Sequence, residues 1–221
     1  MFPISDVIPS RTRPVVTVSL IAINSLMYLF QLQLDEVAMQ RLVLDAGLIP
    51  ARFSYVDVVT SMFLHADFLH FLGNMVFLWI FGDNVEDRVG HAGFVLFYVG
   101  TGTAGAMAQT LADPSSFVPM IGASGAIAGV MGAYFLLYPQ SRILTAVFLF
   151  LFLDVIEIPA IFFLGVWFLL QVLHGAMSPA AEGGGGVAFW AHAGGFAAGL
   201  LVGLYVKRRD RAREDYWRRV Q

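Results

Sequence analysis

Apolar residues fall along this chain in runs long enough to cross a lipid bilayer, with polar residues gathered between them. A spanning helix needs about 20 predominantly apolar residues. Residues 15–34, 68–82, 92–111, 120–138, 158–174 and 187–206 meet or approach that length, and they predict six spanning helices. Residues 35–67 are mixed. Their apolar pieces, 42–49 and 56–64, are too short to span and predict short helices lying in the membrane interface. Asp83, Asn84, Glu86, Asp87 and Arg88 stop the second run, residues 113–119 make a turn, and Pro139 ends the fourth run. Residues 143–153 are apolar but lead into Asp154, Glu157 and Pro159, so an interfacial or re-entrant piece is expected there. Residues 175–186 include four consecutive glycines, 183–186, and are expected to form a flexible loop. The expected fold is all-α: a polytopic six-helix membrane bundle over residues 15–206, between an N-terminal segment (1–14) and a basic tail (207–221).

Composition agrees with this pattern. Of 221 residues, 58% are hydrophobic and only 13% charged, where soluble domains carry about 25% charged residues. A soluble enzyme is thereby excluded. Cysteine is absent, which excludes disulfides, thiolate ligands and a cysteine nucleophile. Residues 1–14 lack the Arg-rich pattern of a transit peptide, and the first apolar run is too long for a signal-peptide core. The basic residues set an orientation. With both termini on the cytoplasmic side, Arg11, Arg13, Arg88, Arg142 and the seven of the tail lie inside, and of the 13 basic residues only Arg41 and Arg52 lie outside. That is the asymmetry of the positive-inside rule.

The chemistry-bearing residues sit on the even-numbered spans. Residues 122–132 read Gly-Ala-Ser-Gly-Ala-Ile-Ala-Gly-Val-Met-Gly, with one hydroxyl, Ser124, among glycines 122, 125, 129 and 132. Glycines four apart let a neighbouring membrane helix approach closely. The second span carries His70 and Asn74, one turn apart on one face. The sixth carries His192, followed by Gly195 and Gly199 on the same face. Alone, Ser124 reads as a packing serine bonded one turn back. Intramembrane polar groups are expensive, however, and a functional role is their default. With the spans alternating in direction, all four polar residues fall in the outer half of the membrane at similar depth.

A serine hydroxyl becomes a nucleophile when a base takes its proton, and histidine is the usual base. The oxyanion that follows needs donors. Asn74, His70 and the Ser124 backbone N–H, near a helix start, can supply them. No carboxylate in spans two, four or six is placed to orient His192, so a Ser–His dyad is expected rather than a triad. No cofactor or metal is expected. His65 and His70 are five apart, off the spacing that puts two ligands on one helix face, with no nearby acid of the zinc-protease kind.

Three motifs in order, Gly122-Ala123-Ser124-Gly125, Ala191-His192-Ala193-Gly194-Gly195 through Gly199, and His65…His70…Asn74, resemble the rhomboid intramembrane serine proteases over about residues 15–205. The resemblance implies Ser124 as nucleophile, His192 as general base, and His70 and Asn74 as oxyanion-hole side chains. It gives structural support to His65, Gly122, Gly125, Gly195 and Gly199. It also implies a water-filled cavity open to the outside, a lateral opening near span five and residues 175–186, and a structural segment at Glu86 and Arg88. The partners implied are transmembrane protein substrates within the lipid bilayer, not nucleic acid, and the compartment is a bacterial-type inner membrane. Two positions depart from the pattern. Val56-Asp57 stand where many relatives carry Trp-Arg, and Ala128 stands where many carry an aromatic residue packed on the catalytic histidine. His192 is therefore held by something else, or more loosely. Another class on the same scaffold, a non-catalytic membrane chaperone or dislocation factor, is expected to lack the serine or the histidine; both are present here. A transporter is expected to show mid-membrane charges and repeat symmetry.

Overall fold

A short helix, α6 (Ser124–Leu137), stands at the centre of the molecule and is packed against four others. The computed structural model describes residues 2–149, 152–177 and 187–220. Around α6 lie α1 (Val15–Gln31), α4 (Phe68–Val89), α5 (His91–Ala112), α7 (Ala160–Met177) and α8 (Phe189–Val220). Two short helices, α2 (Glu36–Ala46) and α3 (Tyr55–Thr60), occupy the segment between α1 and α4. They begin earlier than their apolar pieces because Asp35 and Ser54 cap them, accepting from the Ala38 and Asp57 N–H groups. The closest pairing in the bundle is α6 with α8, and it rests on missing side chains. A β-carbon at Gly199 would stand 1.9 Å from the Gly129 carbonyl oxygen, and one at Gly195 would stand 2.0 Å from that of Gly125. Backbone is in contact with backbone, as small-residue seams allow.

Three helices among the described residues are long and apolar enough to cross a bilayer: α4, α7 and residues Phe189–Ala212 of α8. The fourth run differs from its expected bounds. Residues 120–123 are not helical; Met120 pairs in an antiparallel bridge with Leu48, and the Gly122 N–H bonds the Ser61 carbonyl at 2.8 Å. At 14 residues α6 is about 21 Å long, well short of the roughly 30 Å hydrocarbon core. Its first residue is Ser124, which is half-buried.

The second run is also longer than its apolar part. The polar residues after Gly82 do not end α4; they turn inward and hold the N-terminal segment. Glu86, 1% exposed, accepts from the Val16 and Thr17 N–H groups at 2.9 and 2.8 Å and from the Thr17 hydroxyl at 2.7 Å. Pro14, at the N-cap of α1, has no side chain to offer. A carboxylate from another helix caps α1 instead, where its unpaired N–H groups and dipole favour an anion. Asp87 holds the Arg11 and Thr12 N–H groups in the same way. Arg88 pairs with Asp210 at 2.6 Å, so α8 continues past residue 206 as one helix to Val220 with no break at the expected tail boundary.

The fold holds strands that the all-α expectation omits. Residues 142–159 form β2 (Arg142–Leu149) and β3 (Phe152–Pro159), paired antiparallel with Arg142 opposite Pro159. β1 (Phe2–Asp6) adds to the other edge of β2, with Phe2 opposite Ala146 and Asp6 opposite Ile143. The stretch 142–159 holds three Ile, two Val and three Phe, which favour a pleated, half-buried surface. An apolar run of this length is equally compatible with a strand or a piece of helix on periodicity alone. Asp6 ties the sheet to the bundle. Its carboxylate accepts from the Tyr134 hydroxyl at 2.5 Å, near the end of α6 remote from Ser124. Burial, with Asp83 adding, pushes the Asp6 carboxyl up to about 6 against the pull of the Tyr134 bond. Of the expected loop 175–186, residues 175–177 are the last of α7, with Gly175 against Trp190, and 178–186 lie outside the described residues.

Candidate active site

The starts of three helices meet at one end of the bundle: His70 is in the first turn of α4, Ser124 is the first residue of α6, and His192 is in the first turn of α8. Ser124 Oγ and His192 Nε2 are 2.8 Å apart. The distance follows from the glycine seam below them, because Gly195 and Gly199 bring the α8 backbone onto α6 one and two turns past His192. At the start of α6 the first N–H groups, those of Ser124 and Gly125 among them, have no intrahelical acceptor.

His70 is set by local capping. Asp67 is the N-cap of α4 and accepts from the His70 N–H at 2.9 Å, while the Ala66 N–H donates back to His70 Nδ1 at 3.4 Å. The arrangement is close to a capping box, except that the reaching histidine takes the N–H of the residue before the cap. With Nδ1 accepting, the ring proton lies on Nε2, which makes Nε2 the donor. Nε2 points toward Gly122, whose backbone has φ +125°, a conformation suited to glycine. The place a Gly122 β-carbon would take is 2.7 Å from His70 Nε2 and 3.6 Å from Ser124 Oγ. Gly122 thus leaves open the space that a donor and a nucleophile share.

Asn74 lies one turn further along α4, buried, and its Nδ2 donates to the His70 carbonyl at 2.9 Å. One of its two amide hydrogens is thus bound within its own helix, and the bond ties it to His70. His65 is fully buried against Tyr28, His70 and Phe71. Its backbone is held at both ends by the Gln31 side chain, which donates to the His65 carbonyl at 2.9 Å and accepts from its N–H at 3.1 Å. Through its ring contact with His70, the anchored His65 backs the first turn of α4. Gly125 faces the Ala191 carbonyl of α8 across the same seam.

Two residues of α7 complete the surroundings of His192, and neither was among the sequence candidates. His192 Nδ1 is 2.7 Å from Gln171 Oε1. The Trp167 ring lies against the imidazole, with centroids 5.8 Å apart. Where the motif pattern has an aromatic at 128, Ala128 is fully buried in the α6 seam, and the aromatic contact comes from α7 instead. Gln171 was visible in principle, since it is a polar group in the middle of an otherwise apolar run. It is an amide on span five, not a carboxylate on spans two, four or six. At Val56-Asp57, the other departure, Val56 is exposed, and the segment is anchored by buried Val58 and Met62 and by the Thr60 hydroxyl on the Ala46 carbonyl.

Ser124 also borders a cleft of about 30 Å³, lined by Met62, Gly102, Ala106, Ala126 and Ala191. It has room for a water or a methyl-sized group. His70, Asn74 and His192 do not line it.

A model of the rhomboid domain matches residues 52–209 of this chain. The chain is 32% identical over 161 residues to Rhomboid protein 1, mitochondrial, of Saccharomyces cerevisiae, a stretch that covers 70% of this chain and 43% of that protein. It is 34% identical over 126 residues to the putative rhomboid protease YdcA of Bacillus subtilis, covering 56% of this chain and 62% of the relative. A shorter match, 37% over 76 residues, covers 34% of this chain and 14% of Rhomboid protease GluP of Bacillus subtilis. The chain thus spans about half the length of the first two relatives.

Proposed function

The chain belongs to the rhomboid family, and from that premise we propose that it is an intramembrane serine endopeptidase that cuts transmembrane protein substrates with a Ser124–His192 dyad. It is an integral membrane protein. We propose further that six helices (α1, α4, α5, α6, α7 and α8) span an inner membrane with both termini in the cytoplasm. The 11-to-2 division of Lys and Arg supports that orientation. In it, the short α6 sets Ser124 below the outer surface at the floor of a cavity open to the outside.

The single observation that carries the chemistry is the 2.8 Å contact between Ser124 Oγ and His192 Nε2. In the reaction, Ser124 Oγ attacks the carbonyl carbon of the scissile bond and its proton passes to His192 Nε2. The carbonyl oxygen becomes an oxyanion, held by His70 Nε2–H, the Ser124 N–H and the second Asn74 amide hydrogen. Collapse breaks the C–N bond, and His192 returns the proton to the leaving amine. Water, deprotonated by His192, then hydrolyses the acyl-enzyme. A substrate helix must unwind to be attacked, because its carbonyls are hydrogen-bonded and covered by side chains. Gly or Pro beside the cut lowers that cost. The small cleft beside Ser124 fits a small residue at the cut.

The test is labelling of detergent-purified protein with a serine-reactive fluorophosphonate, together with cleavage of a transmembrane substrate. Wild type should label and cut. Ser124→Ala should do neither, and His192→Ala should lose cleavage almost as fully, since nucleophile and base act as a unit. Labelling that persists in folded Ser124→Ala would remove Ser124 as nucleophile. A folded wild type that neither labels nor cuts would favour the chaperone or dislocation reading.

A further inference from the structure

The proposed dyad leaves one nitrogen of the base unexplained. A general base needs the correct tautomer: Nε2 must carry a lone pair toward the serine, so Nδ1 must carry the proton. In soluble serine proteases a carboxylate beside Nδ1 imposes this. No carboxylate contacts His192 among the described hydrogen bonds; the group at Nδ1 is the amide oxygen of Gln171, at 2.7 Å. We infer that Gln171 is a positioning residue that holds His192 in the Nδ1–H tautomer, a third member of the Ser124–His192 relay that carries no charge. The inference rests on the protease reading above.

The geometry of α7 supports this. Leu164, Phe168, Gln171 and Gly175 recur at i, i+4, i+7 and i+11, which is one face of a helix. Leu164 and Gly175 are the buried ends of that face. Phe168 stacks on Phe196 of α8, one turn past His192, with ring centroids 4.5 Å apart. Trp167 lies over the imidazole beside the Gln171 contact. The amide oxygen is therefore aimed by packing on both sides of it and does not reach His192 as a free surface side chain. The opposite face of α7 (Phe162, Val166, Leu169, Leu170 and Leu173) is exposed. The base is thus oriented by a helix that the bundle holds along one face only, and moving α7 away from α8 would release Nδ1 as it opened that side of the molecule.

An amide is a weaker director than a carboxylate, because rotation of its terminal group by half a turn would present an N–H to Nδ1 and favour the wrong tautomer. The conservative test exploits this. Gln171→Leu keeps the bulk and removes the acceptor; Gln171→Glu keeps the acceptor and adds a charge. Gln171→Leu should lower kcat on a cleavable transmembrane substrate by about 10–10²-fold with KM unchanged, the pattern of a loss felt in the transition state. Gln171→Glu should recover most of the rate. It should also move the acid limb of the pH–rate profile to higher pH, because a neighbouring carboxylate favours the charged imidazolium. A packing role alone predicts that Gln171→Leu, which keeps the bulk, also keeps the rate. Gln171→Leu with the wild-type kcat would overturn the inference, as would Gln171→Glu that is as slow as Gln171→Leu with an unmoved limb. Nitrogen-15 spectra of His192 in the Ser124→Ala protein give a readout independent of activity: the Nδ1–H tautomer with Gln171, and its loss in Gln171→Leu. An inactive wild type with that signature would refute the protease reading alone. An active wild type without it would refute the role of Gln171 alone.

Discussion

Gly199→Ala puts a methyl group where a hydrogen stood, and the structure says where its carbon must go. It would stand 1.9 Å from the Gly129 carbonyl oxygen. Non-bonded heavy atoms settle near about 3.5 Å, so α8 must back away from α6 by roughly 1.5 Å. His192 lies seven residues earlier, about 10 Å along the helix. If α8 moves as a rigid rod, the 2.8 Å Ser124–His192 contact opens to roughly 4 Å, outside the range of about 2.6–3.2 Å in which a base takes the proton. A misplacement of that size costs on the order of 10²-fold in rate. Overpacking of this kind also costs about 1–3 kcal/mol of stability, so thermal unfolding in detergent is to be recorded beside the rate of cleavage and of Ser124 labelling. Two controls on the same helix separate geometry from damage. Gly203→Ala meets Ala133 at 3.1 Å, an overlap that a few tenths of an ångström relieves, and should lose far less activity. Leu201→Ala, at a 70% exposed position, should change neither rate nor stability. The order of effect should be 199, then 203, then 201. A folded Gly199→Ala protein that labels and cuts like Leu201→Ala would show that the glycine seam does not set the distance between nucleophile and base.

Asn74→Ala should slow cleavage on the order of 10²-fold, the usual worth of one oxyanion donor, while Ser124 still labels, because His70 and the backbone N–H remain; unchanged kinetics over several substrates would take Asn74 out of the site. Glu86→Ala should lower the unfolding midpoint, with a loss of about 2–4 kcal/mol, since two N–H groups and a hydroxyl at the start of α1 lose their buried acceptor; a midpoint equal to wild type would mean that α1 is capped by something else. The Asp6 tether should depend on pH. Its folded carboxyl titrates near 6 against an ordinary 3.8, so the folded state binds more protons between those values, and its stabilisation is fully present below the lower value and is lost as pH rises through the higher. Protection factors of residues 2–8, taken relative to the intrinsic exchange rate at each pH, should accordingly be higher at pH 4 than at pH 7, and Asp6→Asn should flatten the difference; a profile of protection identical in wild type and Asp6→Asn would remove Asp6 as its cause.

The apolar runs, the paired residues His70 and Asn74, and the alignment of His192 with Gly195 and Gly199 were all legible in the sequence. Each follows from a period or a length: the thickness of a bilayer, the 3.6-residue turn, the spacing of small residues on one face. Such rules act within a single helix and need no knowledge of its neighbours. What they could not supply is pairing between distant segments. An apolar run with two acids in it, residues 142–159, reads alike as interfacial helix or strand, and the pairing of its two halves with each other and with Phe2–Asp6, about 140 residues away, settles it as sheet. The polar residues after Gly82 looked like the end of a span because charge usually stops one; in the folded chain Glu86 among them is buried as the cap of α1, a helix end with no capping side chain of its own. The true start of α6 depends on Leu48 and Ser61 taking up the backbone groups of Met120 and Gly122. Gln171 and Trp167 reach His192 only because α7 packs on α8, and no spacing along one helix can report which face of another it meets. Hydrogen bonds and ring contacts between helices are set by how the bundle closes, so the sequence could name the serine and the histidine while tertiary packing alone decided what holds the histidine in place.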